Sequence, residues 1–319
     1  MKKILALVLA CMMVLACVSF ASAEEEKTYT VGILQLMQHN ALDAATQGFR
    51  DALTDKLGDK VVFDEQNAQG DSAQCATIAT AFAANEYDLI MANATPALTA
   101  CVAATQTIPI LGTSVTDYAT ALDMESVEGG TGYNVSGTSD GVPGQLYADC
   151  VMELVPDAKT VAVVYCSAEP NSVVQADAFI AAMPEGVECK VSTFADSNDM
   201  QAVITAAIDG VDAMYIPTDN TAAANMTIVA NICEPAGLPV ICGEENMMSV
   251  GGLATVSITY YDIGYKCGEM AYDILVNGAD ITTMEIGYSE NPVKEYNPEY
   301  AEAIGFTMPE GYAAYTPAE

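Results

Sequence analysis

At 319 residues, 51% of them apolar, the chain is long enough for one large domain or two of ordinary size. Its 43 acidic against 10 basic residues leave a net charge near −33, which argues against nucleic acid or an anionic membrane surface as partner. One arginine (Arg50) and one histidine (His39) remove many enzyme mechanisms at once.

The chain begins with a targeting pattern: basic Lys2 and Lys3, an apolar run from Ile4 to Leu15, and the small-residue site Ala21-Ser22-Ala23. Residues 1–23 are read as a signal peptide. Val14-Leu15-Ala16-Cys17 also resembles a lipobox, which would leave a lipid anchor on Cys17. Cleavage after Ala23 is preferred, because apolar character continues past Cys17. Either way the mature protein is expected to be exported, periplasmic or at the cell surface. Eight cysteines follow Ala23, none in a CxxC pair, and they read as small buried hydrophobes. No metal and no cofactor is expected.

From Tyr29 short apolar runs alternate with helical segments. Strands are predicted at Tyr29 to Leu36, Lys60 to Asp64, Asp88 to Ala92 and Ile108 to Leu111. Between them lie helices from Ala41 to Leu57, Asp71 to Ala84 and Pro96 to Thr105. The first helix carries Leu42, Ala45, Phe49, Ala52 and Leu53 on one face. This order is the signature of a parallel sheet covered on both faces.

The pattern then restarts. KTVAVVYC (from Lys159) answers TYTVGILQ (from Thr28), with Val161 following Val31 by 130 residues. Pro239 follows Pro109 by the same 130, while DAMYIPTDNTAAA aligns with DLIMANATPALTA at an offset of 124. The fold class is therefore α/β, two Rossmann-like parallel-sheet lobes. The glycine-rich stretch Gly130 to Asp140 is a first crossing between them. A strand-like run from Gly251 to Tyr260, a helix from Tyr261 to Val276 and a short strand from Ile281 to Ile286 have no counterpart in the first lobe's order. They suggest repeated crossing and a multi-strand hinge. The lobes are placed at 28–138 plus about 258–284, and at 139–257 plus about 285–319.

In open α/β sheets ligands bind beyond the carboxyl ends of the strands. That directs attention to Gln35 to Leu42, Asn93 to Pro96, Thr113 to Asp117, Ser167 to Ser172, Thr218 to Asn220 and Glu244 to Asn246. The internal alignment sets Thr95 opposite Asp219. Thr95-Pro96 reads as a cap followed by proline at the first helical position, a start that favours an anion, with Ser114 and Thr116 as extra donors. Asp219 at the matching position favours a cation. Taken singly, each reads equally well as a plain helix cap; taken together, they suit a zwitterion such as an α-amino acid. Asn171 and Ser172 open the helix after the second lobe's first strand, as caps or ligand contacts. Tyr118, Tyr260 and Tyr261 are candidates for an apolar wall, although Tyr261 reads better with Tyr265, Gly268 and Tyr272 as a helix face. His39 is given a local structural role, and the pair Glu244-Glu245 a solvated one.

VGILQLMQHNALDAATQGFRDAL, QNAQGD, NATPALTA, IPILGTSVTDY, SAEPNS, YIPTDNT and YYDIGYKCGEMA, in that order from Tyr29 to Val276, resemble the bacterial ABC-transporter solute-binding family that includes the tryptophan-binding TrpX-type proteins. The resemblance implies a periplasmic-binding-protein type I fold and delivery of a small-molecule ligand to ABC permease subunits; the protein is expected to be a monomer. Amino-acid ligands, aromatic in some members, are implied as well. It places Thr95, Asn171, Ser172, Asp219 and Asn220 in the cleft and Leu42 near the ligand side chain. The chain departs from that pattern in having no Trp and many Cys. A signalling sensor of the same fold, and a sugar or nucleoside ligand, are the alternatives. An enzyme is disfavoured, since the chain has no GxxxxGK[ST] and no GxGxxG after its first strand.

Overall fold

A computed structural model describes residues 27–289 and 292–316. The signal segment and Cys17 lie outside the described residues.

The first lobe runs β1 (Tyr29–Gln35), α1 (Asn40–Leu57), β2 (Val61–Asn67), α2 (Ser72–Ala84), β3 (Leu89–Asn93), α3 (Thr95–Ala104), β4 (Ile110–Thr113), α4 (Tyr118–Ala121) and β5 (Val135–Gly137). All five strands are parallel, in the order β2-β1-β3-β4-β5. The β1 side chains alternate between faces, as a pleated strand requires. Leu34 joins Phe82 and Leu98 on one side, and Val31 and Ile33 join Phe49 and Leu53 on the other.

The chain then enters the second lobe. It contains α5 (Gly144–Leu154), β6 (Thr160–Cys166), α6 (Pro170–Ala182), β7 (Glu188–Phe194), α7 (Ser197–Ala207), β8 (Ala213–Ile216), α8 (Asn220–Ala223), α9 (Met226–Cys233), β9 (Val240–Cys242), α10 (Glu245–Gly251) and β10 (Ala254–Ser257). After β10 come α11 (Tyr260–Leu275), β11 (Val293–Tyr296), α12 (Pro298–Ala303) and β12 (Ala313–Ala314). The second sheet is ordered β12-β11-β10-β9-β8-β6-β7. Its portion β7-β6-β8-β9-β10 repeats the order of the first sheet. The duplication extends to a detail: Asp88 accepts from the Thr30 N–H at 2.8 Å, and Asp212 from the Thr160 N–H at 2.9 Å, tying each third strand to its first.

Two expectations are corrected here. The strand near Gly251 does have a counterpart, because β10 beside β9 occupies the place of β5 beside β4. Ile281 to Ile286 is not a strand: Ile281–Thr283 forms a 3-10 turn, which Asp280 enforces by accepting from the N–H and hydroxyl of Thr282.

The lobes exchange elements through the hinge. After β5 the chain crosses to α5, which packs on β10; after β10 it crosses back to α11, which packs along α1 in the first lobe. Glycine makes that last contact possible. The Ala45 carbonyl stands where a Cβ on Gly264 would be, and the Tyr261 carbonyl where one on Gly48 would be. Tyr261 and Tyr265 donate from the outside of this helix pair to Asp51 and Asp55. Tyr118 is buried in the first lobe's core with its hydroxyl on the Thr138 carbonyl, so neither Tyr118 nor Tyr261 walls the cleft. All eight described cysteines are unpaired, and seven are buried. Among the described residues no helix is long and apolar enough to cross a membrane, and no cluster of side chains is arranged to hold a metal ion.

Candidate functional site

The carboxyl ends of both sheets face one cleft. The first lobe and the crossings supply His39, Leu42, Ser114, Thr116, Asp140 and Tyr260. The second lobe supplies Asn171, Thr218, Asp219, Asn220, Glu244 and Met247.

On the first lobe the start of α3 is built unusually. Thr95 is not the cap. Ala94 holds that position at φ 87°, and Thr95 and Pro96 are the first helical residues. Alanine brings no side-chain oxygen, so the amides of the first turn have no capping partner. One strand over, Ser114 also has a positive φ, 53°, just past β4. Two non-glycine residues in this region at adjacent strand ends represent strain held by the surrounding fold, and such strain clusters at functional sites. The hydroxyls of Thr95 and Ser114 are both buried without a hydrogen-bond partner. Ser114 lines the cleft; Thr95 and the half-buried Pro96 stand behind it.

The second lobe does the opposite at the equivalent place. Asp219, only 1% exposed, caps α8 by accepting from the Ala222 N–H at 2.8 Å through Oδ1. Its Oδ2 accepts from the Cys166 N–H at 2.6 Å and from the Ser172 hydroxyl at 2.8 Å. Ser172 therefore stands behind Asp219 rather than in the cleft wall. Burial, and the nearby Glu169 carboxylate, raise the Asp219 pKa well above the usual carboxylate range. Glu169 accepts from Asn171 Nδ2, from both nitrogens of Asn220, and from the N–H and hydroxyl of Thr221, and so positions the α8 start. Asn171 also donates to the Thr218 carbonyl.

Several cleft residues escaped the sequence reading. Asp140 comes from the first crossing; it accepts from Thr116 Oγ1 at 3.0 Å and from the Tyr260 hydroxyl at 2.7 Å. Glu244 is not solvated but 3% exposed. It caps α10 through the N–H groups of Asn246 and Met247, and burial pushes its pKa up to about 7. Its position after β9 was marked by the strand-end rule, while the charge of the Glu-Glu pair pointed to solvent. Met247 follows on the same short helix. His39, expected to be local, reaches across the cleft: its Nε2 lies 3.2 Å from Asn220 Oδ1 of the opposite lobe. Burial lowers the His39 pKa, which favours the neutral ring. Among the described residues no Lys or Arg lines the cleft.

The sequence profile of the ABC transporter substrate binding proteins matches residues 30–317. The chain belongs to that family. Its members are solute-binding proteins rather than enzymes. A tyrosine-binding protein of Clostridioides difficile (strain R20291) is 37% identical over 280 residues, covering 84% of this chain and 81% of that protein. The structure of an ABC domain from Streptococcus pneumonia in complex with L-Trp has 30% identity and a TM-score of 0.85, covering 89% of this chain and 97% of that one. A ligand-free, open substrate-binding protein with adhesive properties from Clostridium difficile has 36% identity but a TM-score of only 0.69, covering 91% and 100%. The more identical relative superposes less well. The lobes of this chain are thus set like those of the ligand-bound protein, in agreement with the His39–Asn220 bridge.

Proposed function

We propose that this protein is an exported receptor that closes on an α-amino acid, aromatic or hydrophobic, and delivers it to the permease of an ABC importer. One observation carries the reading: the cleft concentrates buried carboxylates and unpartnered hydroxyls but, among the described residues, no Lys or Arg. Burying ionised carboxylates without a counter-charge is costly. A ligand ammonium supplies that charge. A close ion pair at an effective dielectric near 20 gains about 4 kcal/mol before desolvation.

Asp219 receives the ammonium. Ser114 receives the carboxylate, and the uncapped start of α3 behind it adds a helix dipole that favours an anion. Asn171 and Asn220 complete the polar wall, and Leu42, Met247 and Tyr260 flank the side chain. Because the ligand touches both lobes only when they are together, binding shifts the population toward closure. The tyrosine- and tryptophan-binding relatives support an aromatic amino acid.

Thermal-shift screening against the twenty amino acids, nucleosides and simple sugars tests the reading. Stabilisation by one or a few amino acids is expected. Stabilisation by sugars alone would falsify it.

A further inference from the structure

The cleft contains more acid than one α-ammonium can satisfy, and the acid lies in two separate places. Asp219 sits against Glu169, whereas the charge of Asp140 bears on Glu244. A carboxylate has about four lone-pair sites. Glu169 is engaged by five donors and does not line the cleft. Asp219 accepts three bonds and has room for one more. Asp140 accepts only two, and Glu244 three from its own helix start. Both are nine-tenths or more buried and line the cleft, where among the described residues no Lys or Arg stands. The same cleft wall carries the buried, unpartnered hydroxyls of Ser114 and Thr218. Apolar Leu42 and Met247 complete it.

Resting on the amino-acid reading above, we propose that Asp140, Glu244 and the Tyr260 hydroxyl form a second polar subsite, which accepts a hydrogen bond from a donor at the tip of the ligand's side chain. The ligand is then an amino acid with an apolar body and a donor tip, a phenol or an indole, and hydrocarbon side chains are discriminated against. The physical reason is an asymmetry: an analogue lacking the donor leaves buried acceptors unpaired, which costs more than the bond itself contributes.

Calorimetric titration of the whole protein tests this with two matched pairs, L-tyrosine against L-phenylalanine and L-tryptophan against 1-methyl-L-tryptophan. In at least one pair the donor-bearing member is expected to bind at least about tenfold tighter. Asp140→Asn and Glu244→Gln are expected to shrink that ratio to within about threefold by weakening the donor-bearing ligand alone, which a general loss of packing does not do. Equal affinities within both pairs in the unmodified protein overturn the subsite and leave the zwitterion reading intact. Binding of no amino acid overturns both.

Discussion

The two lobes share a sheet order, yet their helix starts after the third strand are electrical opposites. In the first lobe α3 begins behind an alanine at positive φ, with bare amides and an orphaned Thr95 hydroxyl. In the second, α8 begins behind Asp219, which supplies its own anion to the helix. The first start has unused positive potential; the second holds a buried carboxyl whose ionised form is favoured when a cation faces it. Duplication supplied the frame, and divergence at one equivalent position made a cleft that suits a dipolar guest. A helix cap and a ligand contact are not exclusive: Asp219 spends three acceptor sites on the fold and keeps one.

The strongest way to break this comparison is to remove the charge that distinguishes the lobes. Asp219→Asn is expected to weaken amino-acid binding by about 2–4 kcal/mol, since a buried charge-assisted contact is lost. The amide also faces the Cys166 N–H, at a stability cost of about 1–3 kcal/mol. The decisive measurement is therefore the ratio of affinities for the free and the N-acetylated amino acid, which should collapse in the variant. An unchanged ratio would reduce Asp219 to a cap.

A pH series sharpens the same contrast. Glu244 has an ordinary pKa of 4.5 when solvated and one of about 7 in the closed cleft. Between these values the open or unfolded chain ionises while the empty closed form keeps its proton. The empty closed form therefore loses relative stability as pH rises through that window, by up to about 1.4 kcal/mol per pH unit. Small-angle scattering should show the unliganded protein expanding between about pH 5 and about pH 7.5, and the ligand-saturated protein staying compact at both. An unliganded radius independent of pH contradicts this account of Glu244.

Smaller effects probe the first lobe. Ser114→Gly removes the strained side chain and the orphaned hydroxyl together, so it should raise unliganded stability by a few tenths of a kcal/mol to about 1 while lowering affinity by about 1 kcal/mol. If affinity is unaffected, that hydroxyl is not a ligand donor. His39→Ala should cost about 0.5–1 kcal/mol of binding, seen mainly as faster ligand release, because its bond to Asn220 joins the lobes only when they are closed.

Most of the frame was legible in the residues. Strand alternation, the 130-residue echo of Val31 in Val161 and the strand-end rule together placed two parallel sheets and pointed to Ser114, Thr116, Asn171, Asp219 and Asn220. Less legible were features made by contact between distant segments. The late strand β10 was not recognised as the counterpart of β5, because the helix that precedes it changed length and the chain leaves the lobe immediately afterward. Asp140 sat in a glycine-rich crossing with nothing local to mark it. Glu244 read as solvated because two adjacent acids normally are.

By itself the sequence determined the periodic elements, their duplication and the acidic, arginine-poor chemistry available to a ligand, since periodicity and composition are local properties of the chain. Only the tertiary structure decided which side chains meet. Segments far apart in the chain bring Asp140 to Tyr260 and His39 to Asn220. Such contacts, and the burial that raises the pKa values of Asp219 and Glu244, exist only once the hinge folds one lobe over the other and water leaves the gap.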